Sequence, residues 1–80
     1  MIKVVAKSFA KPDKLDKILE LSAEMVEKTV KEEGCIKYEL FQDIKAPEVL
    51  VIVEEWESEE ALSRHMASEH FKRIVPQLNE

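Results

Sequence analysis

The stretch Val49-Leu50-Val51-Ile52-Val53-Glu54-Glu55-Trp56 decides the fold. Its first five residues are all apolar, so a strand here is apolar on both faces, the pattern of a central strand covered on both sides. Strand alternation then sets Leu50, Ile52, Glu54 and Trp56 on one face, where a carboxylate and an indole share a surface with aliphatic neighbours. Immediately upstream, Asp43 to Glu48, with Pro47, reads as a turn. Before it, Cys35 to Gln42 alternates between Ile36, Tyr38 and Leu40 on one face and Cys35, Lys37, Glu39 and Phe41 on the other. These two strands form a hairpin.

Further out, Ile2 to Phe9 is a third alternating segment, with Ile2, Val4 and Ala6 opposed to Lys3, Val5, Lys7 and Phe9. Lys11-Pro12-Asp13 ends it, and Asp13 is placed to cap a helix whose apolar positions Leu15, Ile18, Leu19, Met25, Val26 and Val30 follow three-and-four spacing. That helix is expected to end at Gly34, the only glycine, where a left-handed backbone costs least. After the decisive strand, Ser58-Glu59-Glu60 opens a second helix with Ala61, Leu62, His65 and Met66 as its inner stripe. Ser68-Glu69 restarts it with Phe71, Ile74 and Val75 inward, and Pro76 discourages its continuation.

The order strand, helix, strand, strand, helix predicts an α+β chain forming one domain over 1–80. Its expected fold is a ferredoxin-like split βαβ, an antiparallel sheet with the third strand between the first two and the helices on one face. The other face then lacks a cover although the central strand is apolar there. A homodimer packed through that sheet face is the economical solution, since a two-fold interface uses one surface twice.

Lysine and arginine number 12 against 17 acidic residues, for a net charge of −5 with no basic cluster, so no nucleic-acid partner is expected. A single cysteine, Cys35, allows no intrachain disulfide and fits a cytoplasmic location. Residues 1–10 lack the apolar stretch of a signal peptide, and no run approaches the ~20 apolar residues that span a bilayer, so no membrane partner is expected.

Three stretches together carry a likeness: Glu32-Glu33-Gly34-Cys35 running into Tyr38, then VIVEEWES from Val51 to Ser58, then Ala61, His65, Ser68 and His70-Phe71. In this the chain resembles the antibiotic biosynthesis monooxygenase family of the dimeric α/β-barrel superfamily, and its small quinol monooxygenases in particular. The resemblance implies oxygen insertion into a small quinol or phenolic aromatic substrate without metal, flavin or haem. The substrate is deprotonated and its anion passes an electron directly to O2, which requires a dry pocket, a base and donors to the substrate oxygens. Members of the family typically add a fourth strand beside the first. Only Gln77, Leu78, Asn79 and Glu80 follow Pro76 here, so that strand is expected to be absent and the first strand to be an edge guarded by Lys3 and Lys7.

The candidate bases are His65 and Glu54. His65 lies between Leu62 and Met66 in the second helix, where an imidazole can face the sheet; a lone histidine on an apolar helix face is more often a hydrogen-bonded core residue. Glu54 is a poised acid or base if its face meets the helices, and a solvated or lysine-paired carboxylate if it does not. Trp56 matches a tryptophan of family pockets, and its alternative is core filling. Tyr38 is a possible donor to a substrate oxygen, and His70 either lines the pocket mouth or caps a helix turn. Ile52 and Leu62 stand where relatives carry proton-relaying polar residues and are implied as apolar pocket walls.

No metal is expected, because Cys35, His65 and His70 lack the spacing of a zinc site, and no cofactor is implied. Haem-degrading relatives place a histidine ligand where this chain has Val75, and a tryptophan where it has His65, so that activity is disfavoured. Two other readings stand beside the oxygenase: a non-catalytic dimeric small-molecule-binding or structural module, and an isomerase. A pocket filled by Trp56 and Met66 favours the module.

Overall fold

Residues 1–78 are described by a computed structural model. The chain runs through β1 (Ile2–Phe9), a 3-10 turn at Pro12–Lys14, α1 (Leu15–Thr29), β2 (Cys35–Gln42), β3 (Val49–Trp56), α2 (Glu59–Met66) and α3 (Glu69–Leu78). The sheet is antiparallel with the order β1-β3-β2, so the apolar strand is central as its composition requires. This is the α+β, ferredoxin-like split βαβ arrangement, with three strands and β1 at an edge among the described residues. No helix among them is long and apolar enough to cross a membrane.

In register, Glu54 stands opposite Val4 on one side and Tyr38 on the other, and Ile52 opposite Ala6 and Leu40. This face carries the core. Tyr38 and Trp56 pack with Met25 of α1, Ala61 of α2 and Ile74 of α3, while Leu50 packs with Ala10 and Ile18. All helices therefore lie on one face, and the other bears Val5 and Phe9 at 63% and 70% exposure.

Several local expectations need correction. A bulge between Cys35 and Lys37 sets Cys35 opposite Trp56, so Cys35 packs on the core and Ile36 is left half exposed. The extra residue reverses the face assignment upstream of Tyr38, which strict alternation cannot anticipate. Asp13 makes no capping bond; it lies in the 3-10 turn, and Lys14 holds the N-cap position of α1. The helix ends at Thr29, before Gly34. Gly34 does take a positive φ of 87°, but in the turn that enters β2. Helix α3 continues through Pro76 to Leu78, because the burial of Ile74 and the packing of Val75 and Leu78 on the core outweigh one missing N–H near the helix end. Met66 is 45% exposed and points away from the core.

Candidate functional site

The pleat of β3 brings Glu54 and Trp56, two residues apart, to the same face. The indole Nε1–H donates to Glu54 Oε1 at 2.9 Å, and both side chains are buried. A buried indole must find an acceptor and a buried carboxylate must find donors, so this one bond relieves both demands. Glu54 is therefore neither solvated nor lysine-paired.

Helix α2 is capped by Ser58, whose Oγ accepts from the Ala61 N–H at 3.2 Å. From that start Ala61 and, one turn later, His65 face the sheet, both buried. The His65 ring is held by aromatic neighbours: Trp56 at 4.7 Å between centroids, and Phe71 and Tyr38 edge-on at 5.2 and 5.7 Å. Its Nδ1 lies 2.7 Å from Glu32 Oε2, and its Nε2 lies 3.9 Å from Glu54 Oε1. An ionised carboxylate only accepts, so Nδ1–H donates to Glu32, and Nε2 is directed to the Glu54 side.

Glu32 is the residue that sequence reasoning missed. It stands in the turn between α1 and β2, fixed by its own N–H to Thr29 O at 3.0 Å and by Cys35 N–H to its carbonyl at 3.2 Å. Gly34 lets this turn lie against α2. A Cβ there would sit 2.5 Å from Ala61 Cβ, and Ala61 is one helical turn from His65. The one available signal was that Glu32 shares a short motif with the only glycine; periodicity is silent in a turn. The same carboxylate oxygen accepts from His70 Nε2 at 2.8 Å, and Ser68 Oγ lies 3.3 Å from that nitrogen.

A cavity of about 240 Å³ lies between β1 and the helices. His65, Glu54, Tyr38 and Ile52 line it together with apolar side chains from α1 and α3, among them Met25 and Phe71. Burial, reinforced by the neighbouring Glu54 carboxylate, pushes the Tyr38 hydroxyl well above its ordinary pKa, which keeps it a proton-bearing donor. Trp56, Leu62 and His70 are not among the lining residues. Trp56 is fully buried behind His65 and Glu54, Leu62 packs on the core, and His70 is turned to Glu32. Val75 contributes an apolar side chain to the cavity wall. Glu32, His65 and His70 each offer one metal-ligating atom, and these atoms lie within 4.8 Å of one another. The spacing of Cys35, His65 and His70 could not reveal that group, because its carboxylate comes from a turn more than thirty residues upstream of both histidines.

Comparison with known proteins supplies the context for this arrangement. The family model for antibiotic biosynthesis monooxygenase matches residues 1–77. A Bacillus subtilis (strain 168) protein named "Putative monooxygenase YcnE" is 31% identical over 75 residues, which are 94% of this chain and 79% of that protein. A crystal structure of an antibiotic biosynthesis monooxygenase superposes with a TM-score of 0.94 at 48% identity, covering 99% of this chain and 83% of the other. A conserved protein from Methanosarcina mazei Go1 superposes at 0.91 with 44% identity, covering 96% and 76%.

Proposed function

The chain belongs to the antibiotic biosynthesis monooxygenase family, and on that premise we propose that it is a cofactor-independent monooxygenase that oxidises a small quinol or phenolic substrate with O2. The observation that carries this reading is the pairing of His65 Nε2 and the Glu54 carboxylate, 3.9 Å apart, on the wall of a largely apolar cavity. A substrate hydroxyl there gives its proton to His65 Nε2 or to Glu54. A proton received at Nε2 lies between the ring and Glu54, while Glu32 holds the opposite edge of the ring. Tyr38 donates to a substrate oxygen, and the apolar wall excludes the water that would stabilise the resting anion. The electron-rich anion reduces O2; one oxygen atom becomes a ring carbonyl and the other leaves as water, with two substrate hydrogens.

Trp56 acts from behind the cavity, fixing Glu54 and stacking on His65, and Met66 points away from the core, so neither fills the space a substrate needs. This favours an enzyme over a non-catalytic module. The outer sheet face, with Val5, Phe9 and Phe41 exposed, is suited to a homodimer.

The test is oxygen uptake by chelator-treated protein with a panel of reduced benzo- and naphthoquinols, beside His65→Ala and Glu54→Gln. General-base loss is expected to lower the enhanced rate by roughly 10²–10⁴-fold in at least one variant. No enhancement across the panel by the folded protein overturns the proposal.

A further inference from the structure

Glu32, His65 and His70 meet on the side of the His65 ring that faces away from the cavity. They come from the α1–β2 turn, from α2 and from the start of α3, and their side chains are only 17%, 2% and 12% exposed. Imidazole nitrogen and carboxylate oxygen are the donors that zinc and similar divalent ions take. Among the described residues Glu32 has no lysine or arginine partner; its charge is shared by the two imidazoles alone.

The distances suit an ion. Two edges of the donor triangle measure 2.7 and 2.8 Å. Ligand atoms around a tetrahedral ion with bonds of roughly 2.0–2.1 Å stand about 3.3 Å apart. Small side-chain rotations widen those edges and narrow the third, and the partial exposure of His70 leaves a fourth position for water. A second feature points the same way. A metal-bound histidine characteristically has a carboxylate on the side of its other ring nitrogen, and the Glu54 carboxylate stands 3.9 Å from His65 Nε2, longer than a hydrogen bond but able to close to one.

We propose that Glu32 Oε2, His65 Nδ1 and His70 Nε2 form a binding site for a zinc-class divalent cation outside the substrate cavity, and that its occupation turns His65 from a proton acceptor into a proton donor toward that cavity. An ion at Nδ1 replaces the proton there, and likewise the Nε2 proton of His70. Neutral His65 must then carry its one ring proton on Nε2, directed to Glu54 and the substrate space. The ion thus removes the lone pair that accepts the substrate proton. The second half of this inference rests on the oxygenase reading above; the binding site does not.

The experiment titrates the metal-free protein with Co2+ and Zn2+, reading the visible d–d bands of four-coordinate cobalt, the stoichiometry by calorimetry and the histidine ring 15N shifts by NMR. One ion per chain is expected, with tetrahedral cobalt bands, Nδ1 of His65 as ligand and Nε2 protonated. Glu32→Gln and His70→Ala, both checked for native fold by circular dichroism, are each expected to weaken binding by more than the roughly 10–100-fold that loss of an outer partner costs. His70→Asn is the second variant at the more exposed of the two histidines. Absence of binding at millimolar cobalt, or binding that none of these variants weakens, overturns the site. A bound ion with Nε2 as the His65 ligand overturns the switch. Where quinol oxidation is measurable, zinc slows wild type far more than His70→Ala; equal slowing also overturns the switch. An inactive protein that binds cobalt as described leaves the site standing and fails the oxygenase reading alone.

Discussion

The two faces of the sheet are built from the same three strands and have opposite fates. On the inner face Leu50, Trp56 and Tyr38 are buried under the helices, and Glu54 is buried with them because Trp56 supplies its donor. On the outer face Val5, Phe9 and Phe41 are more than half exposed, beside Lys3, Lys7 and Glu39. The difference teaches that hydrophobicity along a strand sets what can be buried, and the placement of the helices sets what the chain buries by itself. The inner face gains its stability within the chain and spends part of its area on a polar site; the outer face leaves its apolar area exposed.

The sharpest way to break this contrast is paired truncation. Trp56→Ala is expected to cost about 3–5 kcal/mol by chemical denaturation, since it empties a fully buried site and strips Glu54 of its donor. Phe9→Ala, at concentrations where the chain is monomeric, is expected to stay within about 0.5 kcal/mol. A loss at Phe9 approaching that at Trp56 erases the distinction between the faces. Next in size is self-association. Val5→Lys removes an exposed valine from both copies of the proposed two-fold interface, about 1.5 kcal/mol each, so sedimentation should show dimer association weakened roughly a hundredfold. An unchanged monomer–dimer balance removes the outer face from the interface.

The link between the α1–β2 turn and the site is tested by Gly34→Ala, expected to cost about 1–2 kcal/mol from the positive φ alone, with the Ala61 clash in addition. Ala61→Gly in the same chain relieves the clash and leaves the backbone cost. Histidine NMR should show the Glu32 to His65 bond loosened in the single variant and recovered in the double. The smallest effect belongs to the surface. Glu24 of α1 is held at about 2 by hydrogen bonds to Arg73 of α3 and then Lys28, below its ordinary 4.5. A depressed carboxylate contributes stability that is present above its unfolded value and lost as pH falls toward 2. Denaturation of wild type and Glu24→Gln should therefore differ slightly at pH 7, converge in acid and converge with added salt, as exposed pairs do.

Much of this was legible from residues alone. The strands follow from alternation at Ile2–Phe9 and Cys35–Gln42 and from the apolar run at Val49, and the sheet order follows from that run being central. His65, Glu54, Tyr38 and Ile52 share a cavity because each lies on the face its local period assigns it. Apart from Met66, at the edge of the inner stripe of α2, the errors gather where period is lost. The bulge at Cys35 reverses one face, the helix stops before Gly34, and Pro76 is carried inside a helix by the packing around it.

By itself, the order of residues determined the strand and helix periods, the identity of the central strand and the inward placement of Ala61 and His65 on α2, because these depend on neighbours a few positions apart. Only the tertiary structure decided that Glu32 holds His65 and His70, that Trp56 stands behind the cavity rather than in its wall, and that Met66 points outward. Those contacts join turns and helices more than thirty residues apart, or depend on how three helices share one sheet face. Local period sets the direction of a side chain along its own element, whereas the partner it meets is set by the packing of the elements against one another.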